Sequence, residues 1–244
     1  MKEAKILSIL VLVFGLFLTD LSNADDPSLV GWWKLDETSG NTAFDSSVNG
    51  KNGTLYGGPQ RIAGKMNGAL KFDVVDDYVS LPIGSLISTL RSCTLSIWVN
   101  FSNIGGSWQR IFDFGTGINV YMFLSPRIYG EMAGPMRFAI TTHSNSYESV
   151  LDAPSPLASG WHHVAVIIDS VSRNMKLYLD GAVVGSSTTQ TLPAALAIRP
   201  RTGLEGRNTR LMRTLTDCWT NFTSITEFYL WERLFTSQLG LIAC

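Results

Sequence analysis

The sequence predicts an all-β chain of antiparallel strands. Three observations carry this. Residues Gly160 to Gly185 read as two alternating apolar runs joined by a polar loop. The second run ends in Asp180-Gly181, the dipeptide that best tolerates the positive φ angles of a type I′ hairpin into a third strand. Residues Cys93 to Phe101 alternate cleanly, with Cys93, Leu95, Ile97, Val99 and Phe101 on one side and Thr94, Ser96, Trp98 and Asn100 on the other. Finally, no segment before Leu196 sustains helical periodicity, and the short strands are spaced by turn residues, as in a sandwich or barrel.

The chain opens with Lys2 and Lys5 before an apolar run from Ile6 to Leu18, then Ser22-Asn23-Ala24. Residues 1–24 are therefore expected to be a secretory signal peptide, since the apolar run is short of the roughly 20 residues a spanning helix needs. Residues 25–244 are expected to form one large domain, extracellular or periplasmic, with no membrane insertion after signal removal. Net charge is −1 with 16% charged residues, a balance that gives no reason to expect nucleic acid or an anionic membrane as partner.

Further strands are expected at Leu29–Leu35, Gly53–Tyr56, Ala69–Phe72 and Tyr78–Leu81. Beyond Cys93–Phe101 they follow at Arg110–Phe114, Asn119–Leu124, Met136–Thr142 and Tyr147–Leu151. The opening trio comprises Trp161–Asp169, Met175–Leu179 and Ala182–Ser187, and a last strand falls at Ile225–Trp231. The segment 196–220 is atypical: Arg199, Arg201, Arg207, Arg210 and Arg213 make a local basic patch, read as a solvated loop in preference to a site for acidic glycans. Of three cysteines, Cys93 begins a strand and reads as a small buried hydrophobe, while Cys218 and Cys244 could pair.

A set of motifs then recurs in a fixed order. These are Gly31-Trp32-Trp33-Lys34-Leu35-Asp36-Glu37, Asp45-Ser46-Ser47, Gly68-Ala69-Leu70-Lys71-Phe72-Asp73, Asp77-Tyr78-Val79, Leu95-Ser96-Ile97-Trp98-Val99, Gly160-Trp161-His162-His163-Val164-Ala165 and Leu177-Tyr178-Leu179-Asp180-Gly181. In these the chain resembles the laminin-G-like, concanavalin A-like domains. The resemblance implies a two-sheet antiparallel jelly-roll β-sandwich, with the trio of strands from Trp161 to Ser187 at its centre and Trp161 filling space between the sheets. The end departs from the family pattern, with Thr223 where Gly is expected and Thr226 where Asp is expected. Many such domains hold a structural calcium ion, which takes six to eight oxygens. The candidates here are Asp36, Glu37 and Asp45 in a Gly/Ser/Asn-rich loop, and Asp73.

Function is less legible. Hydrolysis of glycans on this fold needs two carboxylates flanking the bond. The Glu-x-Asp-x-(x)-Glu strand of related glucanases is absent, and the strand from Leu95 carries no acid. The adjacent His162 and His163 face opposite sides of a strand, so they cannot act together on one ligand. Sugar binding would use exposed aromatics as stacking platforms. Trp108, which follows Gly105-Gly106-Ser107, is the first choice, with Trp98, Tyr121, Tyr129 and Tyr147 behind it. The resulting expectation is a secreted, non-catalytic binding or adhesion module for glycans or for cell-surface and matrix components. A polysaccharide hydrolase and a protein–protein interaction module are the two alternatives.

Overall fold

A computed structural model describes residues 26–73, 75–101, 108–128 and 134–196, together with the strands Thr209–Leu211 and Phe222–Trp231. The expected signal peptide, Tyr129, Cys218, Cys244 and most of the arginine-rich segment lie outside the described residues.

The chain is a two-sheet antiparallel sandwich, as the strand patterns predict. Sixteen strands are defined: β1 (Leu29–Trp33), β2 (Thr42–Ala43), β3 (Gly53–Tyr56), β4 (Gln60–Ala63), β5 (Gly68–Lys71), β6 (Tyr78–Ser80), β7 (Cys93–Phe101), β8 (Phe112–Gly115), β9 (Tyr121–Ser125), β10 (Arg137–Thr141), β11 (Ser149–Asp152), β12 (Gly160–Asp169), β13 (Asn174–Leu179), β14 (Ala182–Thr188), β15 (Thr209–Leu211) and β16 (Phe222–Trp231). The first sheet runs β14-β13-β12-β7-β16-β5-β4, with β1 paired to β16. The second runs β11-β10-β9-β8-β15-β6-β3-β2. Among the described residues one short α-helix, α1 (Gly84–Ile87), leads into β7.

Alternation decides which side of each strand is buried. On β7, the odd-numbered Cys93, Leu95, Ile97, Val99 and Phe101 enter the core between the sheets. They meet Phe112, Phe114, Met122, Leu124, Phe138 and Ile140 of the second sheet. Each such side chain contributes roughly 1.5–3 kcal/mol of burial. Trp33 is fully buried, and its indole N–H donates to the Lys51 carbonyl at 2.9 Å, so its one polar atom is satisfied.

The hairpin between β13 and β14 has the expected turn. Leu179 pairs with Ala182, and Asp180 and Gly181 both take positive φ, +49° and +82°. Asp180 also clamps β12: its Oδ1 accepts the His163 backbone N–H at 2.9 Å and its Oδ2 lies 2.7 Å from His162 Nδ1.

Three expectations are corrected. The trio β12-β13-β14 runs out to the edge of its sheet and is not central, because β16 returns from far along the chain to flank β7 on the other side. Trp161 does not lie between the sheets: it pairs with Asn100, and by alternation with core residue Val164 it sits on the outward face. The arginine-rich segment is not all loop. Its residues Thr209–Leu211 form β15, which joins β8 to β6 through the pairs Arg210–Asp113 and Arg210–Ser80. Three residues are too few to show a period in the sequence.

Candidate functional site

The second sheet presents its outward face through residues that alternate with the core. On β9, Met122 and Leu124 point inward, so Tyr121 and Phe123 point out. Register places Asp113 of β8 beside Phe123, and Ala139 and Thr141 of β10 beside Phe123 and Tyr121. The chain just before β8 adds Trp108 and Arg110 to this face. The Ile111 N–H donates to the Leu124 carbonyl at 2.7 Å and the Trp108 N–H to the Arg127 carbonyl at 2.9 Å, which holds this stretch against the chain around the end of β9.

Trp108 adopts a left-handed backbone, φ +68°, which is uncommon for a residue other than glycine. Its half-buried ring meets Phe123 edge-on, with centroids 6.3 Å apart. Phe123 in turn lies 5.6 Å from the Tyr121 ring. The Arg110 guanidinium covers the Phe123 face at 3.8 Å and stands 5.7 Å from the Trp108 ring. It is anchored at both ends: Nη1 donates to the Trp108 carbonyl at 2.8 Å, and Nε lies 3.4 Å from Asp113 Oδ2. Burial pulls the Arg110 pKa down and the Asp113 charge opposes that shift. The Tyr121 hydroxyl donates to Glu148 Oε1 at 2.5 Å. Burial, followed by that hydrogen bond, pushes the phenol upward, so it stays protonated as a donor. On the far strands of this sheet, Arg137 forks onto Asp152 with two bonds of 2.7 Å. Tyr56 and Tyr78 stack at 4.8 Å across β3 and β6.

Of the aromatic residues expected to bind ligand, the structure brings Trp108 and Tyr121 together, bridged by Phe123. Tyr147 stands 72% exposed just beyond them, on the turn before Glu148. Trp98 is elsewhere. It lies on the outward face of the first sheet, 5.4 Å from the His163 ring and 5.4 Å from Lys65 Nζ. Arg110, Phe123, Asp113 and Glu148 were missed because only strand register shows that they share a face. The one available signal was the alternation of Tyr121 and Phe123 with Met122 and Leu124.

The carboxylates expected to hold calcium do not form one cage. Asp36 Oδ1 accepts the Gly68 N–H at 2.9 Å. Glu37 accepts the Phe44 N–H at 2.7 Å and pairs with Arg61 at 3.0 Å. Asp45 accepts the N–H groups of Trp32, Ser47 and Lys51, at 2.9, 2.9 and 2.8 Å. These three residues tie the N-terminal loop to the sandwich. Asp73 instead gathers with Asp76 and Asp77, their oxygens within 4.8 Å of one another. There burial and the neighbouring acids raise the Asp77 pKa, against a lowering by the Asp73 N–H. The two histidines part as expected. His162 turns toward the inter-sheet side, and His163 is buried on the outward side with Nε2 2.7 Å from Ser96 Oγ.

Domain 4 of AbnA, an extracellular GH43 arabinanase from Geobacillus stearothermophilus in complex with arabinotriose, superposes with a TM-score of 0.63 at 19% identity, over 89% of this chain and 98% of that one. The CBM40 of the Ruminococcus gnavus IT-sialidase, bound to α2,3 sialyllactose, has a TM-score of 0.54 at 14% identity, over 72% and 96%. The binding domain of botulinum neurotoxin DC, in complex with rat synaptotagmin II, has a TM-score of 0.61 at 15% identity, over 88% and 51%. At these identities the likeness carries the fold alone. No curated protein matches the chain. Residues 73–237 match the family model of the concanavalin A-like lectin/glucanases superfamily, a span that covers more than half of the sequence, and the chain belongs to that family.

Proposed function

We propose that this chain is an exported, non-catalytic module that recognises glycans of a cell surface or matrix through the outward face of its second sheet. The observation that carries this is the Trp108–Arg110–Phe123–Tyr121 set. The half-open rings of Trp108 and Tyr121 stand beside a fixed guanidinium, and the Tyr121 hydroxyl is itself fixed on Glu148, which is the mixture of apolar surface and placed polar groups that binding sites use. Structural neighbours held with arabinotriose and with sialyllactose support the ligand class.

The acids of this face also favour binding over hydrolysis. Asp113 is engaged by Arg110, Asp152 by Arg137 and Glu148 by Tyr121. Glycoside hydrolysis asks for one carboxyl as proton donor and a second as base or nucleophile. Carboxylates committed to such partners suit positioning better than proton transfer. Asp36, Glu37 and Asp45 accept separate backbone N–H groups and are assigned to holding the N-terminal loop, apart from the proposed glycan face.

A glycan array probed with the purified chain, once with calcium and once with a chelator, tests the reading. Binding to a defined set of glycans that is lost in Trp108→Ala is the expected result. An empty array under both conditions overturns it.

A further inference from the structure

We propose, resting on the glycan-binding reading above, that the ligand is an uncharged linear oligosaccharide lying along β9, with Trp108 under one end and Tyr147 under the other. The rings form a track, not a single platform. From Trp108 the track passes to Phe123 at 6.3 Å and to Tyr121 at 5.6 Å. Phe123 itself is capped by the nearly buried Arg110, so the open surface along this line is the half-buried Trp108 ring and the Tyr121 edge. Two residues of strand carry the track about 7 Å along β9.

At Tyr121 the track continues onto a loop. The Tyr121 hydroxyl donates to Glu148, which directly follows Tyr147. Thr141, the register partner of Tyr121, accepts the His143 N–H at its hydroxyl, 3.1 Å away. The His143 and Tyr147 rings then meet edge-on at 6.2 Å. Both are exposed, Tyr147 at 72%. The Ser144 N–H donates to the Asn119 carbonyl at 2.9 Å, which ties this loop to the one that enters β9. An exposed tyrosine on a tethered turn, linked to Tyr121 through the adjacent Glu148, fits successive units of one chain. A single terminal sugar would use one end only.

The charges along the track argue for a neutral ligand. Among the described side chains, Arg110 is held by Asp113 and Arg137 by Asp152. Neither cation is left to pair with a carboxylate on the sugar, and the acids beside them would repel one.

Titration calorimetry decides the matter, with arabinobiose to arabinohexaose and cellobiose to cellohexaose as probes and oligogalacturonides as the acidic counterpart. Affinity is expected to rise with chain length in one neutral series. Tyr147→Ala is expected to lower affinity for the longer members about tenfold, in line with one aromatic contact, and to leave the disaccharide within about twofold. Tyr147 is exposed, so circular dichroism of the variant should match the parent chain. Length-independent binding, longer oligomers indifferent to Tyr147→Ala, or tighter binding of the acidic series would each overturn this inference and leave the glycan reading intact. If no oligomer binds and the array is also empty, both fall.

Discussion

The guanidinium of Arg110 lies 3.8 Å above the Phe123 ring while its Nε faces Asp113 at 3.4 Å, so a nearly buried cation is held between a ring face and an acid. Phe123 comes from β9 and Asp113 from β8 three residues further along the chain, and Nη1 closes the arrangement on the Trp108 carbonyl. Arg110 thereby sets the backbone that presents the Trp108 ring.

Arg110→Ala is expected to destabilise the chain by about 2 kcal/mol. That is below the range for a fully buried pair, because Asp113 keeps 28% of its side chain exposed. Arg110→Lys should recover part of this but not the flat stacking on Phe123. Urea denaturation of the three proteins measures the order. Equal midpoints would show that the contact contributes nothing.

Stability should fall on mild acidification through His163. Burial lowers its pKa from the ordinary 6.5, and the Asp180 charge offsets part of that. The unfolded chain therefore binds a proton near 6.5 that the folded chain resists, so unfolding takes up protons. The contribution is intact above 6.5 and is lost progressively as pH drops through that value toward the lowered folded one. The urea midpoint should decline between about pH 7.5 and about pH 5.5, and less so in His163→Gln. An identical decline in the variant would assign the effect to other groups.

The turn between β13 and β14 depends on Gly181, whose φ is +82°. Gly181→Ala forces a Cβ into the left-handed region and should cost about 1–2 kcal/mol, read as a lower melting temperature. Asp180→Asn keeps an asparagine at φ +49° but removes the charge beside His162. It should therefore melt closer to the parent chain than Gly181→Ala does.

Cys93 should be inert while the chain is folded. It is fully buried, and burial pushes its thiol up to about 12, so almost no thiolate forms near neutrality. After treatment with a maleimide, peptide mapping should find the Cys93 peptide unlabelled in native protein and labelled in denaturant. Native labelling would mean that β7 opens.

The sequence by itself determined what depends on neighbours along the chain. The alternation over Cys93–Phe101 set β7 to the residue, because one face of a strand must be apolar to be buried. Asp180-Gly181 set the hairpin, because few residues tolerate positive φ. It also named Trp108, Tyr121 and Tyr147 as aromatic candidates. Only the tertiary structure decided which of these lie together. It put Trp98 on one sheet and Trp108 on the other, and it drew Arg110, Phe123 and Glu148 into one face through register. It also turned Asp36, Glu37 and Asp45 into backbone clamps and made a strand of Thr209–Leu211. The physical reason is the same in each case. The pairings β7–β16 and β8–β15 join segments roughly 100 to 140 residues apart, and a side chain's partners across a sheet are fixed by pairing, which no local pattern encodes.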